Sequence, residues 1–225
     1  MAKIHAGMAK HGMAWFANDQ TVGRGQQGKS WLSSPGQNIA LSVAIEPPAV
    51  FSRNQFYFNA LIANTCYRLF EKYAGTETSV KWPNDIYWRD RKAGGILIEN
   101  KLMGTKWKWA VVGIGININQ VEFGDGLQNA VSLKQITGRT HDPVAIAKEL
   151  HQMILSAINE VAEEDFPQII TRYNENLFKK DQLVRLKKDG AVFETCIKGV
   201  NEYGQLLTKD VIAREFRHGE VEWLI

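Results

Sequence analysis

The sequence predicts an α+β protein: a mixed, largely antiparallel sheet covered by helices, followed by a small β-barrel. Three observations predict it. Short strand-like runs follow one another at 80–88, 93–99 and 107–117, separated only by turn residues, as antiparallel neighbours are. A helix-period segment at 52–73 precedes them and can cover one face of their sheet. Beyond Gln182 the texture changes to five short runs, at 183–186, 192–200, 205–208, 215–217 and 221–224, punctuated by Asp189-Gly190, Tyr203-Gly204 and His218-Gly219. A boundary near Lys180 therefore divides the chain into 1–180 and 181–225.

In chain order, residues 2–11 read as a short helix ended by Gly12, and 13–18 as a buried strand. A glycine-rich loop follows, then a strand over Asn38–Ile45 stopped by Pro47-Pro48. Ser52 is positioned to cap the helix over 52–73, with Phe56, Leu61, Cys66, Leu69 and Phe70 on its apolar side and Gly75 closing it. Pro83 holds Trp82 extended and turns the chain sharply, with Asn84 and Asp85 as turn residues. Residues 89–92 read as a hairpin tip, and a further strand at 107–117 ends in Gly113-Ile114-Gly115-Ile116-Asn117. Asp142-Pro143 is a cap followed by a first-turn proline, opening a helix with Val144, Ala147, Leu150, Ile154, Ala157, Ile158 and Val161 on one face. Asp165 opens another, running to Phe178.

Composition narrows the function. The chain of 225 residues is 44% hydrophobic and 23% charged, which fits a soluble globular protein. A net charge of +3, with basic residues dispersed, gives no basis for nucleic-acid binding. Cys66 and Cys196 lie far apart in apolar surroundings, as core thiols of a reducing compartment do, and the five histidines lack metal-ligand spacing. No signal peptide is read, no apolar run reaches the ~20 residues that span a bilayer, and the expected location is the cytoplasm.

The stretch Gly23-Arg24-Gly25-Gln26-Gln27-Gly28-Lys29-Ser30-Trp31 fits three phosphate-loop patterns: the dinucleotide G-x-G-x-x-G, the kinase glycine loop that shares it, and G-x-x-x-x-G-K-[ST]. The first and last need a helix directly after the glycines to hold the phosphates. Here Pro35-Gly36 breaks any helix within two turns, and the chain continues into a strand. The kinase motifs H-R-D and D-F-G do not occur. What remains is a basic loop between strands, able to order around a ligand, with Arg24 and Lys29 bringing positive charge. Gln20, this loop, the Trp82-Pro83-Asn84-Asp85 corner, Lys92 with Gly94-Gly95, and Asn117 are polar features a plain sheet does not need. They form a cationic, amide-rich set without a protein nucleophile, suited to stabilising charge on phosphate and carboxylate.

Gln20 with the glycine loop, Lys81-Trp82-Pro83-Asn84-Asp85-Ile86, Lys92-Ala93-Gly94-Gly95-Ile96-Leu97 and Gly113-Ile114-Gly115-Ile116-Asn117 resemble the biotin–protein ligases in order and spacing. The segment Phe216-Arg217-His218-Gly219-Glu220-Val221 is similar to that family's small C-terminal domain. The resemblance implies a class II synthetase-like ligase domain followed by an SH3-like barrel. It implies that ATP and biotin form biotinyl-5′-AMP, with magnesium accompanying the ATP phosphates, and that the acyl group passes to a lysine of a biotin carboxyl carrier domain. By the same resemblance Lys92 holds the biotin carboxylate and α-phosphate, while Arg24 and the backbone of Gly23, Gly25 and Gln26 close over the adenylate. Gln20 faces biotin, Trp31 packs the closed loop, Asn84 and Asn117 line the nucleotide side, and Gly94 and Gly95 follow the lysine. No resident metal site, nucleic-acid partner or membrane partner is implied, and oligomeric state is left open.

The chain departs from the family pattern twice. Gln26 and Gln27 stand where arginine is commoner, which implies a less cationic loop and weaker retention of the adenylate. The family places a strand and a serine/threonine-bearing biotin motif before its first helix, whereas here no serine or threonine precedes Thr21. The expectation is that the start lies upstream of Met1 or that the chain is a fragment. No winged-helix module is read, so no operator binding is expected. Two alternatives stay open: a truncated, non-catalytic relative that binds nucleotide or carrier, and a lipoate or octanoate transferase of the same superfamily.

Overall fold

Residues Asn38–Ile45 are buried on both sides along almost their whole length, which places them at the centre of a sheet. The computed structural model, which describes residues 4, 7–28, 30–124, 127 and 129–224, has six strands in that sheet. They are β1 (Ala14–Phe16), β4 (Asn38–Ile45), β8 (Lys106–Asn117), β7 (Arg91–Met103), β6 (Asp85–Trp88) and β5 (Thr78–Lys81), in that spatial order. Every neighbouring pair is antiparallel. The glycine loop forms a separate ribbon of β2 (Gly23–Arg24) and β3 (Ser30–Trp31), joined by a 3-10 turn over Gln26–Gly28. A strand follows Ser30, so the helix that both phosphate-loop patterns require is absent from the described residues.

One face of the sheet carries Ile39, Leu41, Val43 and Ile45 of β4 and Val112, Ile114 and Ile116 of β8. It packs against α1 (Gln55–Ala74), α3 (Pro143–Glu160) and α4 (Phe166–Glu175) through Phe58, Ile62, Leu150, Ile154 and Ile169. Each buried branched side chain of this kind contributes about 1.5–3 kcal/mol of transfer free energy. Asn54 caps α1, its side chain accepting from the Phe56 N–H, and Ser52 instead lies in a preceding 3-10 turn. Asp142 caps α3 as expected, accepting from the N–H groups of Val144 and Ala145. A short helix α2 (Leu133–Thr137), opened by a Ser132–Gln135 capping box, was not expected. Of the helix expected over 2–11, residues 2, 3, 5 and 6 lie outside the described residues. Gly7 donates to the Ile4 carbonyl at φ +69° and residues 8–10 are irregular, so the helix does not extend to Gly12.

The second sheet holds five strands in the order β12 (Ala213–Phe216), β11 (Leu206–Lys209), β10 (Ala191–Val200), β9 (Leu183–Lys188), β13 (Glu222–Leu224). Its interior side chains Leu186, Ile197, Val200, Leu206 and Phe216 belong to the same continuous core as the first sheet. Trp82 Nε1 donates to the Gly204 carbonyl (2.9 Å) and Asn174 bonds both backbone groups of Val200 (2.7 and 2.9 Å). No described helix is long and apolar enough to cross a membrane.

Candidate active site

The sheet face turned away from the helices is built for a ligand by strand register. Reading across it, Ala40 on β4 pairs Gly115 on β8, Gly115 pairs Gly95 on β7, Gly95 pairs Asp85 on β6, and Asp85 pairs Lys81 on β5. Directly paired residues share a face. The row is therefore a flat floor of small residues that rises at one end into a carboxylate and an ammonium. Ser42 and Gly113, the next pair on this face, extend the floor. Above it lies a cleft of about 1410 Å³, walled by the β2–β3 ribbon on one side and by residues 187–190 and 218–223 of the second sheet on the other.

Lys92 reaches this face because of a bulge. The β6–β7 register shifts between Ile86 and Tyr87, so that Ile86 pairs Gly94 while Tyr87 pairs Lys92, leaving Ala93 as the extra residue. Without it, period-two alternation would send Lys92 to the helix side, opposite Gly95. Lys92 thus lies within β7, and the hairpin tip is confined to Arg89 and Asp90. Its ammonium forms an ion pair with Asp85 (Nζ to Oδ2, 2.7 Å) and stands 5.9 Å from the Trp31 ring centroid. A Cβ on Gly95 would come within 3.2 Å of the Asp85 carboxylate, so glycine leaves the pair room.

Gln20, Arg24, Gly25, Gln26, Trp31, Asn84, Lys92, Gly95 and Asn117 all line the cleft. Gly23 and Gly94 do not; their function is close packing. A Cβ on Gly23 would sit 2.2 Å from the Trp31 carbonyl oxygen, and one on Gly94 would sit 2.8 Å from that of Gly115. Trp31 lies flat over Gly115, where a Cβ would meet its ring at 2.5 Å, and its indole N–H is buried without a partner. The Arg24 side chain is 73% exposed and reaches Glu99 at 3.8 Å, so it stands at the cleft mouth, apart from the Lys92–Asp85 pair. Lys29 lies outside the described residues. The side-chain N–H groups of both asparagines are engaged by backbone: Asn84 donates to the Ile96 carbonyl, pinning the corner to β7, and Asn117 donates to that of Val131 (3.1 Å).

Asp85, Lys81, Tyr87 and Trp223 also line the cleft and were not singled out as site residues. Asp85 was read as a turn residue, and Lys81 was legible only as the first letter of its motif. Trp223 carried no signal, because its place depends on β13 closing the second sheet against β9. Burial, together with the Asp85 carboxylate beside it, pushes the Tyr87 phenol above the usual phenol range, so it remains protonated. Burial likewise pushes the Cys66 thiol up to about 12, which removes it as a nucleophile near neutral pH. Among the described residues no cluster of three His, Cys, Asp or Glu side chains could hold a metal ion.

Comparison with known proteins agrees with this geometry. The chain is 32% identical over 145 residues to the bifunctional ligase/repressor BirA of Bacillus subtilis, covering 63% of this chain and 44% of that protein. It is 32% identical over 140 residues to the biotin–[acetyl-CoA-carboxylase] ligase of Paracoccus denitrificans, covering 59% and 57%. The matched region thus spans about half the length of these relatives. The structure of the biotin protein ligase from Aquifex aeolicus in complex with biotin and ATP superposes with a TM-score of 0.81 at 26% identity, covering 96% of this chain and 90% of that one. The family model described as the biotin/lipoate A/B protein ligase family matches residues 3–117, more than half of the 225, and the chain belongs to that family.

Proposed function

We propose that this protein is an ATP-dependent ligase that activates biotin as biotinyl-5′-AMP and transfers it to a lysine of a biotin carboxyl carrier domain. The observation that carries this reading is the bulge-directed Lys92, paired with Asp85 above a glycine floor and facing a basic glycine ribbon across one cleft. An acyl-adenylate needs such a site: positive charge where the carboxylate and α-phosphate meet, a flat floor, and a cover against water. The Paracoccus denitrificans relative is a biotin ligase by name, and the Aquifex aeolicus structure holds biotin and ATP together.

In the first step an oxygen of the biotin carboxylate attacks the α-phosphorus and pyrophosphate departs. Lys92 offsets the charge gathered there, while Asp85 fixes the ammonium in place. Arg24 and the backbone of Gly23, Gly25 and Gln26 close over the adenylate, Trp31 seals the ribbon, and Gln20 faces biotin. Gly95 keeps the floor open beside Lys92, and Gly94 lets β7 and β8 approach closely. Asn84 and Asn117 stand on the nucleotide side. In the second step the carrier lysine amine attacks the acyl carbon and AMP leaves. Magnesium would accompany the triphosphate as its counter-ion. Residues 1–180 form the catalytic domain, 181–225 the C-terminal barrel, and the protein works in the cytoplasm.

The test is an assay of ATP-dependent acylation of a carrier domain, with biotin and lipoate offered in parallel. Biotin on the carrier lysine is the expected result. Preferred transfer of lipoate or octanoate, or nucleotide binding with no turnover, would overturn the proposal.

A further inference from the structure

Arg91 precedes Lys92 on β7, does not line the cleft and has no part in the roles assigned so far. What it holds, however, is the backbone beside Lys92. The last pair between β7 and β8 is Gly94 with Ile116, so Arg91 and Lys92 run past the pairing of β8. Residues 129–131 take over there. The Lys92 N–H donates to the Asn129 carbonyl (2.6 Å), and the Lys92 carbonyl accepts from the Val131 N–H (2.9 Å), which makes a parallel bridge between Lys92 and Ala130. That short segment is pinned in turn by side chains. Arg91 Nε (3.2 Å) and Nη2 (2.6 Å) both donate to the Ala130 carbonyl, and Nη2 also reaches Gln135 Oε1 (3.4 Å). Asn117 Nδ2 donates to the Val131 carbonyl (3.1 Å). A guanidinium presents its donors in a fixed plane, and a charged donor makes the stronger kind of hydrogen bond.

We infer that Arg91 is a positioning residue for the reaction: by pinning Ala130 it sets the backbone of Lys92, and with it the place of the Lys92 ammonium over the glycine floor. This role rests on the ligase reading and deepens it. The bulge at Ala93 turns Lys92 toward the cleft, but a bulge also interrupts the regular ladder on that strand. Residues 129–131 restore hydrogen bonding at Lys92, and Arg91 fixes residues 129–131. Asp85 then holds the far end of the same side chain. The charge that Lys92 offsets lies where the carboxylate meets the α-phosphate, a junction made in the first half-reaction and broken in the second. A Lys92 displaced by a fraction of an ångström would therefore slow both half-reactions at saturating ligand. A residue that only supports the fold would lower stability, and one that only shapes the cleft wall would weaken ligand affinity.

The test measures the two half-reactions separately, as single-turnover adenylation and as transfer from pre-formed biotinyl-5′-AMP to the carrier domain. Arg91→Gln is expected to slow each about tenfold at saturating ligand. KM for biotin and for ATP should stay within about threefold of the parent protein. Arg91→Lys, which keeps the charge but loses the planar fork, should fall between the parent and Arg91→Gln. A double-mutant cycle with Lys92→Ala decides whether Arg91 acts through Lys92. Lys92→Ala alone should cost about a hundredfold, and adding Arg91→Gln to it should cost less than about threefold more, since the group being positioned is gone. Additive losses, about a thousandfold in the double variant, would overturn the inference. So would parent rates in Arg91→Gln, or a loss confined to KM. If Arg91→Gln does not fold, the same cycle with Arg91→Lys decides by the same criterion. A parent protein that performs neither half-reaction would overturn the ligase reading and this inference together; a parent that performs both confines any failure to the inference.

Discussion

At the scale of single residues the site rests on Lys92. Its side chain is 35% exposed and its ammonium is already paired, so it is held in place before any ligand binds, as a charge-stabilising group should be. Lys92→Ala should cost roughly 3 kcal/mol in transition-state stabilisation, about a hundredfold in kcat/KM, by analogy with removing one preorganised donor. Steady-state carrier biotinylation measures it, and a loss below about threefold would remove Lys92 from the chemistry. The identity of this lysine was legible in the sequence, because the Lys92-Ala93-Gly94-Gly95 motif names it. Its direction was not. Strand alternation puts Lys92 and Gly95 on opposite faces, and only the extra residue at Ala93 reunites them. Asp85 was missed for a related reason: a turn aspartate and a strand aspartate look alike until the register of β6 against β7 is known.

At the scale of elements, the glycine ribbon is seated on the sheet by Trp31 on Gly115, and that contact can be tested by a double-mutant cycle. Gly115→Ala alone places a methyl group 2.5 Å from the indole, so either the ribbon lifts or the sheet shifts. Overpacking of this kind costs about 1–3 kcal/mol. In a Trp31→Ala background the clash partner is gone, and Gly115→Ala should cost little. Chemical denaturation of the four proteins should therefore show a coupling of about 1 kcal/mol or more. Simple additivity would mean that the ribbon is not seated on β8. The elements were unevenly legible. Asn38–Ile45 matched to the residue because Asn38 and Pro47 bound an apolar run interrupted only by Ser42. The cap of α1 lay two residues beyond Ser52, since local polarity does not reveal that 49–53 wind as a 3-10 turn first. Residues 133–137 are too few to display a helical period, so α2 was invisible despite its capping box. The close approach of Trp31 to Gly115 joins segments 84 residues apart, and no local pattern encodes such a pairing.

At the scale of the whole molecule, the cleft exists only while the second sheet stays docked, because residues 218–223 form one of its walls. The core runs without interruption from β4 and β8 through Tyr173 and Leu177 to Leu186, Ile197 and Val200, so the two sheets should unfold together. Asn174, near the end of α4, is the polar contact most exposed to test. Its carboxamide donates to the Val200 carbonyl (2.9 Å) and accepts from the Val200 N–H (2.7 Å), and Val200 itself is 2% exposed. Asn174→Ala leaves both backbone groups without those partners in a place water does not easily reach, at a cost of about 1–3 kcal/mol. For a chain of this length each kcal/mol lowers the melting temperature by about 2–4 °C. The transition should move down yet remain single, with far-ultraviolet circular dichroism and tryptophan fluorescence coinciding. Two separated transitions, the first carrying the fluorescence of Trp223 and Trp82, would show that the second sheet folds on its own and only leans on the first. The cleft wall would then be a movable part, and the volume above the glycine floor would depend on how far that wall is closed.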